Sequence, residues 1–414
     1  MGVFALVLAL AGCLPPPPDT AEPAAPAPQA KPVRVQAPEV QFTLPTRDAK
    51  SPYLRPSTAD LDAARATLMK IVTTYTGDPN DPWAIGHGLL AQGPAMKLSD
   101  GRDAVPFLFE QYAEWRKVGS DDLVAFPTTQ GPIRVEPHDD LMLKVFMEVG
   151  VPLTDRFVVQ GKPATLEQLY KSSLYDAWIH DGVTSFESMN NTPWALQGLA
   201  TVAPPGLEWV ASDGKPMTMD AFTDAVVADL HEQTAFMRAA MAKGEKVEKR
   251  RQGIFAYTCG GQHLLQGAAY AVARGFGSAQ SRQWVEDEVA VLFWRVDLEL
   301  EIVDTLVEEN PTYARVLLEQ RMKFLGHFLE SAHKLAALGL YEPTAAQQAT
   351  LDKARDELVK TVQQLESKGL LEGLDGLRDA PDPRMNQAFL DFVGDSAHSV
   401  RGIDLSTGAG SIRY

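Results

Sequence analysis

Two stretches of this chain repeat one another, and that repetition constrains the fold more than any other feature. Asp81-Pro-Trp-Ala-Ile-Gly-His-Gly-Leu-Leu90 and Asn191-Thr-Pro-Trp-Ala-Leu-Gln-Gly-Leu199 share Pro-Trp-Ala, a following apolar residue and a nearby glycine. A second element recurs beside them. Gly161-Lys-Pro-Ala-Thr-Leu-Glu-Gln-Leu169 matches Gly214-Lys-Pro-Met-Thr-Met-Asp-Ala-Phe222, and Asp100-Gly101-Arg102 before Phe107-Leu108-Phe109 is a fainter copy. The glycines at 101, 161 and 214 are 60 and 53 residues apart. On that period, equivalent segments fall near Trp83, His138, Trp194, Cys259 and Phe324, with steps of 55, 56, 65 and 65 residues. Self-similarity at a nearly fixed step indicates stacked supersecondary units, none of which buries its apolar face alone.

The pattern within each unit is mainly helical. Phe222, Val226, Leu230, Met237 and Met241 fall on one helical face in a run that begins near Met219, and further helices are expected over 284–307 and from Thr344 to a stop at Gly369. The Gly-Lys-Pro segments, preceded by Phe157-Val158-Val159 and Trp209-Val210, read as small hairpins leading into helices that start at Thr165 and Thr218. Each unit is then an inner helix, a small hairpin and an outer helix. The order and period resemble the (α/α) toroids of terpenoid cyclases, protein prenyltransferases and lanthionine cyclases. That resemblance implies an all-α ring of about five to six helical hairpins over residues 57–371, with 372–414 as a C-terminal extension packing on it or partly flexible. An open solenoid of helix pairs is the alternative.

The first thirteen residues form an apolar run ending in Leu10-Ala11-Gly12-Cys13 and resemble a bacterial lipobox. The resemblance implies that Cys13 is lipidated and holds the chain on a bilayer. Leu14 in place of aspartate leans towards the outer membrane of the cell envelope. Residues 14–56, rich in proline and alanine, read as an extended spacer. A formal charge of −16 argues against a nucleic-acid partner, and the basic run from Lys246 to Arg251 reads as a solvated loop. Cys259 is the one cysteine besides Cys13, so no disulfide within the domain is expected.

The candidate sites follow from the repeat. His87 lies four residues after Trp83, His263 four after Cys259, and His327 three after Phe324. Equivalent offsets in different units would converge on a ring's central cavity. A cysteine and imidazoles form a zinc-preferring set, and a catalytic zinc takes three protein ligands and keeps one open position. His87, Cys259 and His263 are the candidate ligands, and the resemblance to prenyltransferases and lanthionine cyclases implies the same metal. The competing reading is that Cys259 is a small core residue beside glycines that let helices approach. His138, Asp139, His180 and Asp181 could supply general acid and base chemistry or could cap helices. Trp83, Trp194, Tyr257 and Gln262 are candidate ligand contacts, against the alternative that the aromatics fill the core. No serine-hydrolase elbow, phosphate loop or dinucleotide fingerprint occurs, and Ala235 breaks a zincin motif begun at His231-Glu232. Three function classes remain. They are binding or processing of an extracytoplasmic glycan or peptide, a zinc or acid-base enzyme, and a non-catalytic assembly scaffold.

Overall fold

The computed structural model describes residues 40–42 and 48–414. The lipidation candidate Cys13, the apolar run and the spacer up to residue 39, with 43–47, lie outside the described residues. Within them the chain is predominantly helical, with fourteen α-helices and twelve short strands that pair only two by two. No helix among the described residues is long and apolar enough to cross a membrane.

Six helices are buried along most of their length: α2 (Pro82–Gln92), α4 (Leu141–Val149), α6 (Thr192–Ala200), α9 (Gln262–Ala273), α11 (Ala314–Ala337) and α14 (Pro383–Thr407). The two Pro-Trp-Ala copies open α2 and α6. Proline suits the first turn because its missing N–H would have no helical partner there. Asp81 caps α2 by accepting from the Ala84 amide at 2.9 Å. Neighbouring buried helices touch in sequence order, α2 on α4, α4 on α6, α6 on α9, α9 on α11 and α11 on α14, and α14 returns to α2.

The other long helices alternate with these. They are α1 (Ala59–Tyr75), α3 (Ala104–Tyr112), α5 (Leu166–Asp176), α7 (Met219–Gln233), α10 (Ala279–Glu309) and α12 (Ala345–Ser367). Each has one buried stripe and one wet face, as a helix packed on a core from one side should. The expected starts are where the sequence puts them. Thr165 and Gln168 form a capping box on α5, Thr218 caps α7 and Thr344 caps α12. The hairpins β6 (Arg156–Val159) with β7 (Lys162–Thr165) and β10 (Glu208–Val210) with β11 (Pro216–Thr218) run into α5 and α7. Strand β1 (Asp48–Ala49) pairs antiparallel with β12 (Ile412–Arg413), which ties the start of the described domain to its end.

Two expectations need correction. The run from Met219 is two helices, because α7 stops at Gln233 and α8 (Ala235–Lys243) begins after Thr234, whose hydroxyl turns inward to Glu288 at 2.6 Å. The basic run is not wholly solvated. Lys246 and Arg250 are exposed, but Lys249 folds inward and binds Glu299 at 2.7 Å. Of the two readings of residues 372–414, packing on the body is the one seen over 383–407. Residues 383–407 form α14, one of the most buried helices, which packs on α11, α2 and α1. Its sequence hides this because Asp395, His398 and Arg401 face charged groups of other buried helices instead of water.

Candidate metal centre

The chain enters α9 through an unusual backbone. Cys259, Gly260 and Gly261 have φ of 51°, 60° and 77°, all left-handed. A Cβ on Gly261 would lie 2.2 Å from Ile254 Cδ1, and one on Gly260 would lie 2.7 Å from Arg295 Nη2, so both positions require glycine. Cys259 has no such exemption. A side chain held in this region costs of order 1 kcal/mol or more, and residues kept there cluster at functional sites. The turn sets the cysteine beside the first residues of α9.

Four buried histidines from four different helices meet there: His87 of α2, His263 of α9, His327 of α11 and His398 of α14. Ring centroids are 5.1 Å apart for His263–His327 and His263–His398, 4.0 Å for His327–His398 and 5.4 Å for His87–His398. The donor atoms of Cys259, His263 and His327 all lie within 4.8 Å of one another, as do those of His327, Glu330 and His398. Zinc bonds of about 2.0–2.3 Å imply ligand separations near 3.5 Å in a tetrahedron, so the first set closes on an ion by moving about 1 Å.

Electrostatics favours the ligating form of His87, His263 and His398. Burial, reinforced by the neighbouring His398, lowers His87 to about 3, and burial with His327 lowers His398 to about 4. Burial together with His327 and His398 holds His263 well below its ordinary value, and its Nδ1 has no hydrogen-bond partner. Neutral imidazole is the form that binds a metal.

Behind the rings lies a fully buried ionic network. Glu330 accepts from His398 Nδ1 at 2.7 Å and from Lys334 at 2.7 Å, and Lys334 reaches Glu148 at 2.6 Å. Burial alone would raise the Glu330 carboxyl, but Lys334, His398 and Lys144 outweigh it and hold Glu330 well below the usual range. Asp395 stands 3.3 Å from His327 Nε2 and 3.7 Å from Lys323. A carboxylate beside a ligating imidazole fixes its ring and raises its basicity, and Asp395 stands in position to do this for His327.

The chain matches no protein-family description. No curated protein and no solved structure is significantly similar to it either.

Of the residues singled out in the sequence, Trp83, His87, His138, Trp194, Cys259 and His263 all line one cavity, joined by Lys144, Asp395 and His398. The tryptophans there are already covered. Trp194 stacks on His138 at 4.1 Å and 5° and also faces His263 at 5.2 Å, and Trp83 lies 4.0 Å from the His87 ring. Gln262 is buried beneath, with neither amide atom hydrogen-bonded. Tyr257 lies outside this cavity and borders a neighbouring cleft, donating to Asp229 at 2.7 Å.

The acid-base constellation does not assemble. His138 bonds Asn191 Oδ1 at 3.1 Å, and the Asn191 amide reaches Asp139 at 3.4 Å, but Asp139 opens into a separate acidic cleft with Glu136, Asp140 and Asp176. His180 lies on the two-residue strand β8 (Ile179–His180), 3.5 Å from Asp213, and Asp181 occupies the left-handed turn after it. Neither His180 nor Asp181 lines the histidine cavity or the acidic cleft. His398 and Glu330 were missed in the sequence. His398 falls beyond the expected domain, and Glu330 is an acidic residue three positions after His327 whose partners are distant in the chain.

Proposed function

We propose that the chain is a metal-binding protein whose centre holds a zinc-preferring ion through Cys259, His263 and His327. The carrying observation is that these three donors, drawn from the turn before α9 and from two helices, lie within 4.8 Å of one another. Three protein ligands leave a fourth position at which a water or a ligand oxygen can be polarised, which makes the centre suited to Lewis-acid work on a small molecule. The cycle of contacts among the six buried helices supports the reading of the fold as an (α/α) toroid, with this centre at its axis. On the lipobox resemblance, the ring is carried by acylated Cys13 and the proline-rich spacer on the outer membrane of a bacterial envelope, where its ligand is extracytoplasmic. The cavity volume is about 30 Å³, roughly the space of one water molecule. That volume favours a small group, such as the end of a peptide, over a glycan stacked on Trp83 and Trp194.

The deciding experiment is elemental analysis of the full-length protein purified after growth with added zinc. About one zinc per chain is expected, falling below a tenth of that in His263→Ala and His327→Ala variants that remain folded by circular dichroism. Protein that carries no stoichiometric transition metal ends this reading.

A further inference from the structure

Cys259 is the wall between two cavities. It also borders a second cleft of about 30 Å³, whose lining includes Lys249, Tyr257, Arg295, Glu299, Lys323 and Phe324. Lys249 and Arg295 share the single carboxylate of Glu299 there, and Lys323, which faces Asp395 at 3.7 Å, closes the cleft. The cleft is built, not merely basic. The Arg295 side chain is only 6% exposed. Its guanidinium lies 5.5 Å from the Phe255 ring and 5.7 Å from the Phe324 ring, an arrangement that holds its plane. Nη1 donates to the Gly260 carbonyl at 2.8 Å and Nη2 to Glu299 at 3.0 Å. Its Nε is buried with no hydrogen-bond partner. Lys249 binds the other oxygen of Glu299 at 2.7 Å, so that carboxylate is engaged on both oxygens while it opposes two cations. A buried, unpartnered guanidinium N–H at a site where two cations share one carboxylate is costly unless an acceptor arrives.

We infer that this cleft takes the carboxylate of a small peptide-like acid, which extends past Cys259 so that its neighbouring carbonyl reaches the metal centre. Of the anions that such donors take, a planar carboxylate is smaller than a tetrahedral phosphate, and flanking aromatic rings accept the apolar part of such a ligand. The destination of the carbonyl rests on the metal reading proposed above, whereas the seat of the carboxylate does not.

Isothermal titration of the full-length protein, zinc-loaded and chelator-treated, with N-acetylalanine, its amide and inorganic phosphate tests the inference. The acid should bind at least about ten-fold more tightly than the amide or phosphate. The Lys249→Met variant should lose about ten-fold in acid affinity with its zinc content unchanged, and Arg295→Lys serves the same comparison if Lys249→Met does not fold. Equal binding of acid and amide, preference for phosphate, or no acid binding at about 10 mM overturns the proposal. Acid selectivity in a protein that holds no zinc would keep the carboxylate seat and remove the metal centre. Stoichiometric zinc without acid selectivity would do the reverse.

Discussion

At the scale of single residues, Cys259 separates the two roles that a lone cysteine can have. Its left-handed backbone, with φ of 51°, is a conformation that glycine adopts without penalty. If the cysteine were merely a small filler, replacing it would improve the turn at no other cost. Cys259→Gly is expected to leave the metal-free fold unchanged or more stable by up to about 1 kcal/mol, and to abolish stoichiometric zinc. Urea unfolding in chelator, paired with elemental analysis, reads both effects. A variant that retains zinc would show the thiolate to be dispensable. A variant destabilised in chelator would show that the strain argument is wrong. Part of this residue-level picture was legible in the sequence. His87 and His263 share an offset within the repeat, and both line one cavity together with Cys259. His398 was not legible, since nothing local marks a histidine whose partner Glu330 is 68 positions away. His180-Asp181 misled because a His-Asp pair in a turn looks the same whether it lines a cavity or packs against another turn, as His180 does against Asp213.

At the scale of elements, the fold depends on how closely the buried helices approach. The contact between α11 and α14 is made tight by glycine on both sides. A Cβ on Gly326 would lie 2.3 Å from Ser399 Oγ and 2.8 Å from Ser399 Cα, and one on Gly402 would lie 2.8 Å from the Gly326 carbonyl oxygen. The opposing atoms are largely backbone, so they cannot swing aside. Gly326→Ala should therefore destabilise the protein by about 1–3 kcal/mol, and should also weaken zinc binding because His327 is the next residue. Gly376→Ala, in the short helix α13 (Leu374–Arg378) where an added Cβ meets nothing within 4 Å, is the control. It should be neutral or stabilising by up to about 1 kcal/mol. Urea midpoints of the two variants against the parent check the contrast, and equal midpoints would mean that the helices can part without cost. Helix starts were readable here because a capping threonine acts within its own turn. The identity of α14 as a buried helix was not, because its polar residues face other charged groups inside the protein, and an apolar period cannot register them.

At the scale of the whole molecule, the question is whether the helix pairs form a ring or a row. A row would have two free ends, and each unit would lean only on its neighbours. Here α14 contacts α2 as well as α11, and β12 pairs with β1, so the last unit leans on the first. The two arrangements respond differently to shortening. Removing the last unit from a row subtracts one unit and one interface, and the remainder keeps its cooperative transition. Ending this chain after Leu371 would instead strip α14 from both α11 and α2 at once. It would leave Glu330 without His398 and Lys323 and His327 without Asp395, charges and rings that are buried in the intact protein. Breaking a buried ionic network by removing one side typically costs about 3–5 kcal/mol, a large part of the stability of an ordinary domain, before any lost apolar packing is counted. The 1–371 protein is therefore expected to lose its cooperative urea transition and near-ultraviolet circular dichroism together, and to hold no zinc. Adding residues 372–414 back as a separate polypeptide should restore both signals, because α14 can re-enter between its two neighbours. A truncated chain that still unfolds cooperatively, at a midpoint lowered only in proportion to its length, would instead describe an open row, and the histidines would then have to be brought together by some means other than closure.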